Sequence, residues 1–179
     1  MRRKKQQLAD EKSIAVLNRG TSGVLAVHGD DGYPYTVPLS YVYQADKLFF
    51  HCANNGHKLD AIIRNNKVSF CVIDKDDVVP EEYTAYFRSV IVFGKARIIN
   101  DEAEKRSALE LLAARYSPDH EQGRVEEIER LFKQVSMVEI AIERMSGKEA
   151  IELVPKRGVQ PLNGPDVKAG VNPPCLVQS

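Results

Sequence analysis

Hydrophobic residues along this chain recur with two periods, and each switch between them marks a new element. Over 10–19, Ile14 and Leu17 share one side of successive turns between Asp10, a candidate N-cap, and the stop signal Asn18-Arg19-Gly20, which predicts a short amphipathic helix. Residues 23–28 and 35–43 read as strands joined at Gly29-Asp30-Asp31-Gly32, a hairpin. Pro38 has no N–H to give a ladder, so it belongs at an edge, at a bulge or on a surface turned toward something other than a strand, such as a bound ligand. A third strand, 48–52, follows the turn Gln44-Ala45-Asp46-Lys47. Leu59, Ile62 and Ile63 then fall at i, i+3, i+4, so 57–64 is a helix stopped by Asn65-Asn66.

Strands return at 68–73 and at about 85–99, separated by a connection that begins in Asp74-Lys75-Asp76-Asp77. Gly94 inside the second marks a bulge or a close backbone approach. Asp101 caps a helix carrying Ala108, Leu111 and Leu112, another helix covers about 125–132, and 136–143 alternates with period two as a final half-buried strand. Six short strands interrupted by helices predict an α+β fold, a small closed or nearly closed antiparallel barrel with helices packed outside. Residues 1–154 read as one domain. Residues 155–179 hold five of the nine prolines and little periodicity, and read as an extended or disordered tail.

Composition narrows the partners. With 25 Lys and Arg against 25 Asp and Glu, the net charge of zero supplies no bulk attraction for nucleic acid or an anionic bilayer, leaving only local patches. The 179 residues suffice for one core without staples, and Cys52, Cys71 and Cys175 are odd in number with no CxxC spacing, which fits a reducing cytoplasm. Met1-Arg2-Arg3-Lys4-Lys5 resembles a signal-peptide start, but no apolar stretch follows, and the run 90–93 is far short of the ~20 residues that span a bilayer. No membrane or nucleic-acid partner is expected. The four histidines lack Cys pairs or HExxH spacing, so no metal site is expected either; His28 and His120 read as isolated surface or turn residues.

Candidate chemistry concentrates in His51-Cys52-Ala53-Asn54-Asn55-Gly56-His57-Lys58, where a strand hands over to a helix start. Unpaired N–H groups and the positive dipole end attract phosphate there. Two first-turn cations, His57 and Lys58, would each be disfavoured by roughly 0.3 to 1 kcal/mol unless an anion reversed the sign. Gly56 lets the backbone approach such a group. The same residues also read as a plain turn followed by a solvated charge. Cys52 beside this loop is either a thiol of lowered pKa or a small buried side chain.

Taken as a set, Thr36-Val37-Pro38-Leu39-Ser40-Tyr41, Leu48-Phe49-Phe50-His51-Cys52, His57-Lys58 and Arg88-Ser89-Val90-Ile91-Val92-Phe93-Gly94 resemble the motif series of the FMN-binding split barrels. The resemblance covers about residues 1–150 and is closest to the nitroimidazole-resistance branch of the pyridoxamine-phosphate oxidase-like proteins. It implies a homodimer of six-stranded antiparallel split β-barrels with FMN at the interface. It also implies that Thr36, Val37, Pro38, Leu39 and Ser40 run beside the isoalloxazine ring and read its edge with backbone groups. His51, Cys52 and Ala53 would begin the phosphate-side loop. Gly56, His57 and Lys58 would bind the phosphate, with His57 standing where the oxidases carry Arg. Ser89 falls where they place a Gln that reaches flavin across the dimer.

The oxidases end in a segment whose Arg and His bind the substrate phosphate. Here Met145-Ser146-Gly147-Lys148-Glu149-Ala150 and the Pro-rich tail stand instead, so pyridoxamine-phosphate oxidase activity is not expected. Lys148 reads either as a cation near the cofactor or as an exposed residue at a helix start. His51 reads either as the proton donor to a reduced acceptor or as a satisfied strand histidine. Two functions follow: an FMN-dependent oxidoreductase passing electrons from a nicotinamide donor to a small acceptor such as a nitroaromatic, or a non-catalytic dimeric binder of FMN or haem.

Overall fold

The structure is a computed structural model that describes residues 4–154; the expected tail, 155–179, lies outside the described residues. In chain order the main elements are α1 (Asp10–Arg19), β1 (Ser22–His28), β2 (Pro34–Ser40), β3 (Val42–Gln44), β4 (Lys47–Ala53), α2 (His57–Arg64), β5 (Lys67–Val79), β6 (Thr84–Ile98), α3 (Glu102–Tyr116), α4 (Glu121–Leu131) and β7 (Val135–Glu149). The strands form one antiparallel sheet in the order β2-β1-β5-β6-β7-β4-β3. β2 and β3 stand at opposite ends of that order, yet only Tyr41 separates them. The sheet therefore coils until its two edges meet at Tyr41. No ladder joins them among the described residues, so the barrel is open.

The α+β class agrees with the sequence pattern, but the strands number seven and not six. The extra boundary lies inside 35–43, an unbroken run of β-formers that reads as one strand. Tyr41 breaks it through distant partners. Its fully buried side chain donates a hydrogen bond to the Leu17 carbonyl (2.8 Å), and its N–H donates to the Tyr116 hydroxyl on α3 (3.0 Å). Nothing local signals either contact.

Two further expectations are corrected. Asp74 to Val79 continue β5 beyond a bulge between Ile73 and Lys75, where a connection was expected, and pair with β6 as far as Val79 opposite Thr84. β7 runs on to Glu149, so Ser146-Gly147-Lys148 is strand and not a helix start; a Cβ at Gly147 would meet the side chains of Leu8 and Ser13. At α1 the N-cap is Ala9, and Asp10 is the first helical residue, where its charge favours the dipole.

Other expectations hold. α2 spans His57–Arg64, the Asp101 side chain accepts the Glu104 N–H (2.8 Å), and Pro38 sits on an edge strand opposite Val24. Register shifts at Phe93/Gly94, where a Cβ would collide with the Ala141 carbonyl.

The main core fills the coiled sheet with Leu25, Leu48, Phe50, Phe70, Val90 and Ile140, closed by Val16 and Leu17 of α1 and Leu59 and Ile62 of α2. A second cluster, including Phe49, Leu109, Leu112, Ile128 and Met137, packs α3 and α4 onto the other side of β4 and β7. This explains the continuous Leu48-Phe49-Phe50 run: β4 is covered on both faces.

Candidate functional site

Alternation along β4 sends Leu48, Phe50 and Cys52 into the barrel and Phe49, His51 and Ala53 to the side that faces α3 and α4. His51 and Ser40, at the end of β2, line a cleft of about 320 Å³. Leu109, Leu112 and Tyr116 of α3, Ile128 and Leu131 of α4 and Val135 form its largely apolar walls. The one carboxylate in the lining, Glu127, pairs with Arg130 (2.6 Å). The His51 ring opens to solvent at the cleft. Even so, partial burial disfavours the imidazolium, and the charge of Lys58 adds to this, so its pKa lies below the ordinary 6.5 and the ring is neutral at pH 7. A neutral imidazole offers one N–H donor and one acceptor nitrogen to whatever occupies the cleft.

The start of α2 is the second part of the site. Gly56 has φ 140°, a conformation that only glycine adopts readily, and apart from its own chain neighbours no described atom lies within 4 Å of the position a Cβ would take. The backbone there is bare. No side chain caps the helix, and among the described residues neither the His57 nor the Lys58 N–H meets a backbone acceptor. Lys58 is half-buried, and its ammonium makes no ion pair among the described residues. Its charge reaches both His51 and Cys52, which places it between α2 and the end of β4.

His57 behaves differently. Its Nδ1 lies 3.2 Å from Asp30 Oδ2, and its ring stands edge-on to Tyr35 of β2 with centroids 4.5 Å apart. Asp30 is also bonded by Arg64 (2.6 Å). His57 is thus turned toward the β1–β2 connection, and Lys58 is the cation left for an external anion.

The remaining expected site residues divide by face. On β2, Thr36, Pro38 and Ser40 are exposed while Val37 and Leu39 pack against the core, so the latter two have only backbone groups to offer a ligand. Cys52 is 8% exposed, and burial raises its thiol pKa, with Lys58 opposing more weakly; the reading of a lowered pKa is overturned. Ala53 is exposed at the end of β4. Ser89 lies on β6 opposite Ile73 and Lys148, and does not line the His51 cleft. Lys148 covers the Phe87 ring (4.9 Å).

Tyr116 and Asp30 carry no sequence signal for the parts they play. Tyr116 receives the Tyr41 N–H (3.0 Å) and faces the carbonyls of Tyr41 (2.8 Å) and Thr21, tying the cleft wall to the β2–β3 crossing.

A family model described as pyridoxamine 5′-phosphate oxidase matches residues 9–149. The chain belongs to that family. A comparison with curated proteins returns no match. Among solved structures, one similar to this family member is a candidate 5-nitroimidazole antibiotic resistance protein from Bacteroides thetaiotaomicron. It is 22% identical with a TM-score of 0.66, covering 80% of this chain and 86% of that one. An FAD-binding protein from Mesorhizobium loti is 25% identical with a TM-score of 0.57, covering 81% and 97%. An FAD and haem binding protein from Mycobacterium smegmatis is 23% identical with a TM-score of 0.70, covering 96% and 94%. No helix among the described residues is long and apolar enough to cross a membrane.

Proposed function

We propose that this member of the pyridoxamine 5′-phosphate oxidase family is a flavoprotein that holds FMN and reduces a small, largely apolar acceptor such as a nitroaromatic. The observation that carries the reading is the bare start of α2: among the described residues the space beside the Gly56 α-carbon is open, two N–H groups have no acceptor, and the half-buried Lys58 makes no ion pair. These residues suit a phosphate, since each supplies a donor or a positive charge; the first turn also carries one carboxylate, the exposed Asp60. The FAD-binding relatives of the same fold support a flavin ligand, and the choice of FMN rests on the bare start of α2.

When bound, flavin supplies the capacity to accept and pass on electrons. The chain does the rest. Lys58 and the α2 N–H groups bind the phosphate, and the exposed Thr36-Pro38-Ser40 side of β2 presents backbone groups along an unpaired edge. The apolar walls from α3 and α4 exclude water from the acceptor's place beside His51. A reduced nitro or quinone group takes up protons, and His51 relays them: its unprotonated nitrogen takes a proton from solvent at the cleft mouth, and the imidazolium so formed gives the proton on its other nitrogen to the acceptor, returning the ring to its neutral form. The cleft lining contains no Lys or Arg, which argues against phosphorylated substrates and so against oxidation of pyridoxamine phosphate.

The test is anaerobic. A nicotinamide donor should bleach the flavin of the purified protein, and a nitroaromatic should restore its colour; failure of both would leave binding without turnover. One observation favours a second reading as a binder: His51 is a neutral imidazole on an apolar cleft, an arrangement that also suits a haem iron. A Soret band in the purified protein that His51→Ala abolishes would establish that reading.

A further inference from the structure

β4 and β7 stay paired as far as Ala53 opposite Val135, and there they part. The end of β4 turns through Asn54-Asn55-Gly56 into α2, while β7 starts where α4 has ended in the turn Phe132-Lys133-Gln134. One side chain spans the gap. Asn54 Nδ2 donates to the Lys133 carbonyl (2.7 Å), and Asn54 Oδ1 accepts from Ser136 Oγ (3.0 Å). The amide can face only this way, because a carbonyl oxygen accepts and cannot donate. The end of a helix leaves carbonyls without intrahelical partners, and the two preceding ones are met nearby. Leu131 accepts the Gln134 N–H (2.8 Å), and Phe132 accepts from Lys105 Nζ of α3 (2.7 Å), whose ammonium also lies over the Phe132 ring (4.6 Å). Asn54 supplies the third partner from the other side of the gap.

What Asn54 joins are two different halves of the site. On its own chain it stands just before Gly56 and Lys58, the proposed phosphate site at the start of α2. The turn it grips is bracketed by Leu131 and Val135, both walls of the cleft beside His51. Lys105 holds that turn to α3, and among the described residues Asn54 makes the hydrogen bond that joins it to the loop before α2. We propose that Asn54, oriented by Ser136, is a positioning residue that couples the phosphate loop to the cleft wall, so that filling either site favours filling the other. The coupling arises from shared ordering. A loop fixed by phosphate fixes the Asn54 amide, and the turn at its other end then costs less to order when an acceptor enters. It runs both ways, since coupling between binding free energies is reciprocal. For its ligand the coupling rests on the flavoprotein reading.

Titrating the full-length, flavin-free protein with FMN and with riboflavin tests it, because riboflavin has the same ring and lacks the phosphate. Asn54→Ala should reduce the preference for FMN over riboflavin at least about threefold, within the range for one neutral hydrogen bond, while riboflavin affinity changes less than about twofold. Ser136→Ala should shift the preference the same way by less, and add nothing once Asn54 is Ala, because it acts only through that amide. Hydrogen exchange reads the other half of the site. FMN should slow exchange of the backbone amides of 131–135 more than riboflavin does, and Asn54→Ala should abolish the difference. A merely structural bond would change stability, or both flavin affinities together, and leave the difference in exchange untouched. An unchanged preference in Asn54→Ala, additive effects of the two substitutions, or equal exchange with the two flavins would overturn the coupling. The two readings fail differently. A wild type that takes up neither flavin overturns the flavoprotein reading and the coupling with it, whereas a wild type and an Asn54→Ala chain that prefer FMN equally overturn the coupling alone.

Discussion

Replacing Lys58 by Met separates a phosphate ligand from an ordinary surface lysine, because three consequences must appear together. Lys58 makes no ion pair among the described residues, so its removal breaks none there, and Met keeps most of the half-buried stem. It stands in the first turn of α2, where a positive charge opposes the helix dipole by roughly 0.3 to 1 kcal/mol, so the protein without flavin should gain up to about that much stability. Its charge helps depress the His51 pKa, so that pKa should rise toward the ordinary value while staying below it, since burial is the larger cause. A charge-assisted hydrogen bond contributes about 1.5 to 3 kcal/mol, so the FMN dissociation constant should increase about 10- to 150-fold. Chemical denaturation of the flavin-free protein, NMR titration of His51 and flavin fluorescence quenching read the three effects. An FMN affinity within twofold of the wild type would refute the phosphate assignment. A loss of stability greater than about 1 kcal/mol would show that Lys58 has a structural partner after all.

His51→Gln should leave FMN affinity unchanged while slowing acceptor reduction; equal rates would remove His51 from the chemistry. Tyr41→Phe should cost about 1 to 3 kcal/mol of stability, because it strands the buried Leu17 carbonyl that Tyr41 now satisfies, and a loss under 0.5 kcal/mol would refute that account. Stability should fall on acidification in two stages. The Arg19 hydrogen bonds hold Asp74 below its usual pKa. Burial alone would raise Glu139, but hydrogen bonds from Arg97 and Lys47 outweigh it and leave it lowered. Both carboxylates contribute stability above the unfolded carboxylate pKa and lose it as pH falls through their depressed values. His51, also depressed, adds an earlier loss that starts below about pH 6.5, where only the unfolded chain readily takes the proton. His51→Gln should remove that earlier stage from a urea-denaturation series across pH and leave the later one. Cys52 should resist alkylation in the folded protein, since it is buried and its thiol pKa is raised; rapid labelling at neutral pH would contradict the placement.

Local periodicity was enough for α2, for the Asp101 cap and for the bulge at Gly94, because each depends on residues within one turn or one ladder rung. It failed where long-range contacts decide. Tyr41 splits a continuous β-pattern only because Tyr116 and Leu17 hold it, and no window of sequence contains all three. Asp74-Lys75-Asp76-Asp77 look like a loop because the far end of β5 carries charge on both faces, Asp76 beside Phe87 and Lys75 and Asp77 on the other side, whereas a strand over a core would not. Lys148 looked like a helix start because Gly147 breaks the alternation of β7, and the reason for the glycine is the packing of Leu8 and Ser13. At the site, the motif placed Gly56, Lys58 and His51 in one neighbourhood, and it could not foresee that Asp30 draws His57 aside. The cleft walls were also illegible, since α3 and α4 reach His51 only through the fold.

The central claim, that the start of α2 holds the phosphate of a flavin mononucleotide, is tested most directly by altering the ligand. Titrating flavin-free protein with FMN and with riboflavin, which differ only in that phosphate, compares the two affinities on an unmodified chain. FMN should bind at least ~10-fold more tightly than riboflavin, the lower bound for one charge-assisted bond, and Lys58→Met should narrow the gap. Equal affinities, or no affinity for either flavin, would contradict the account.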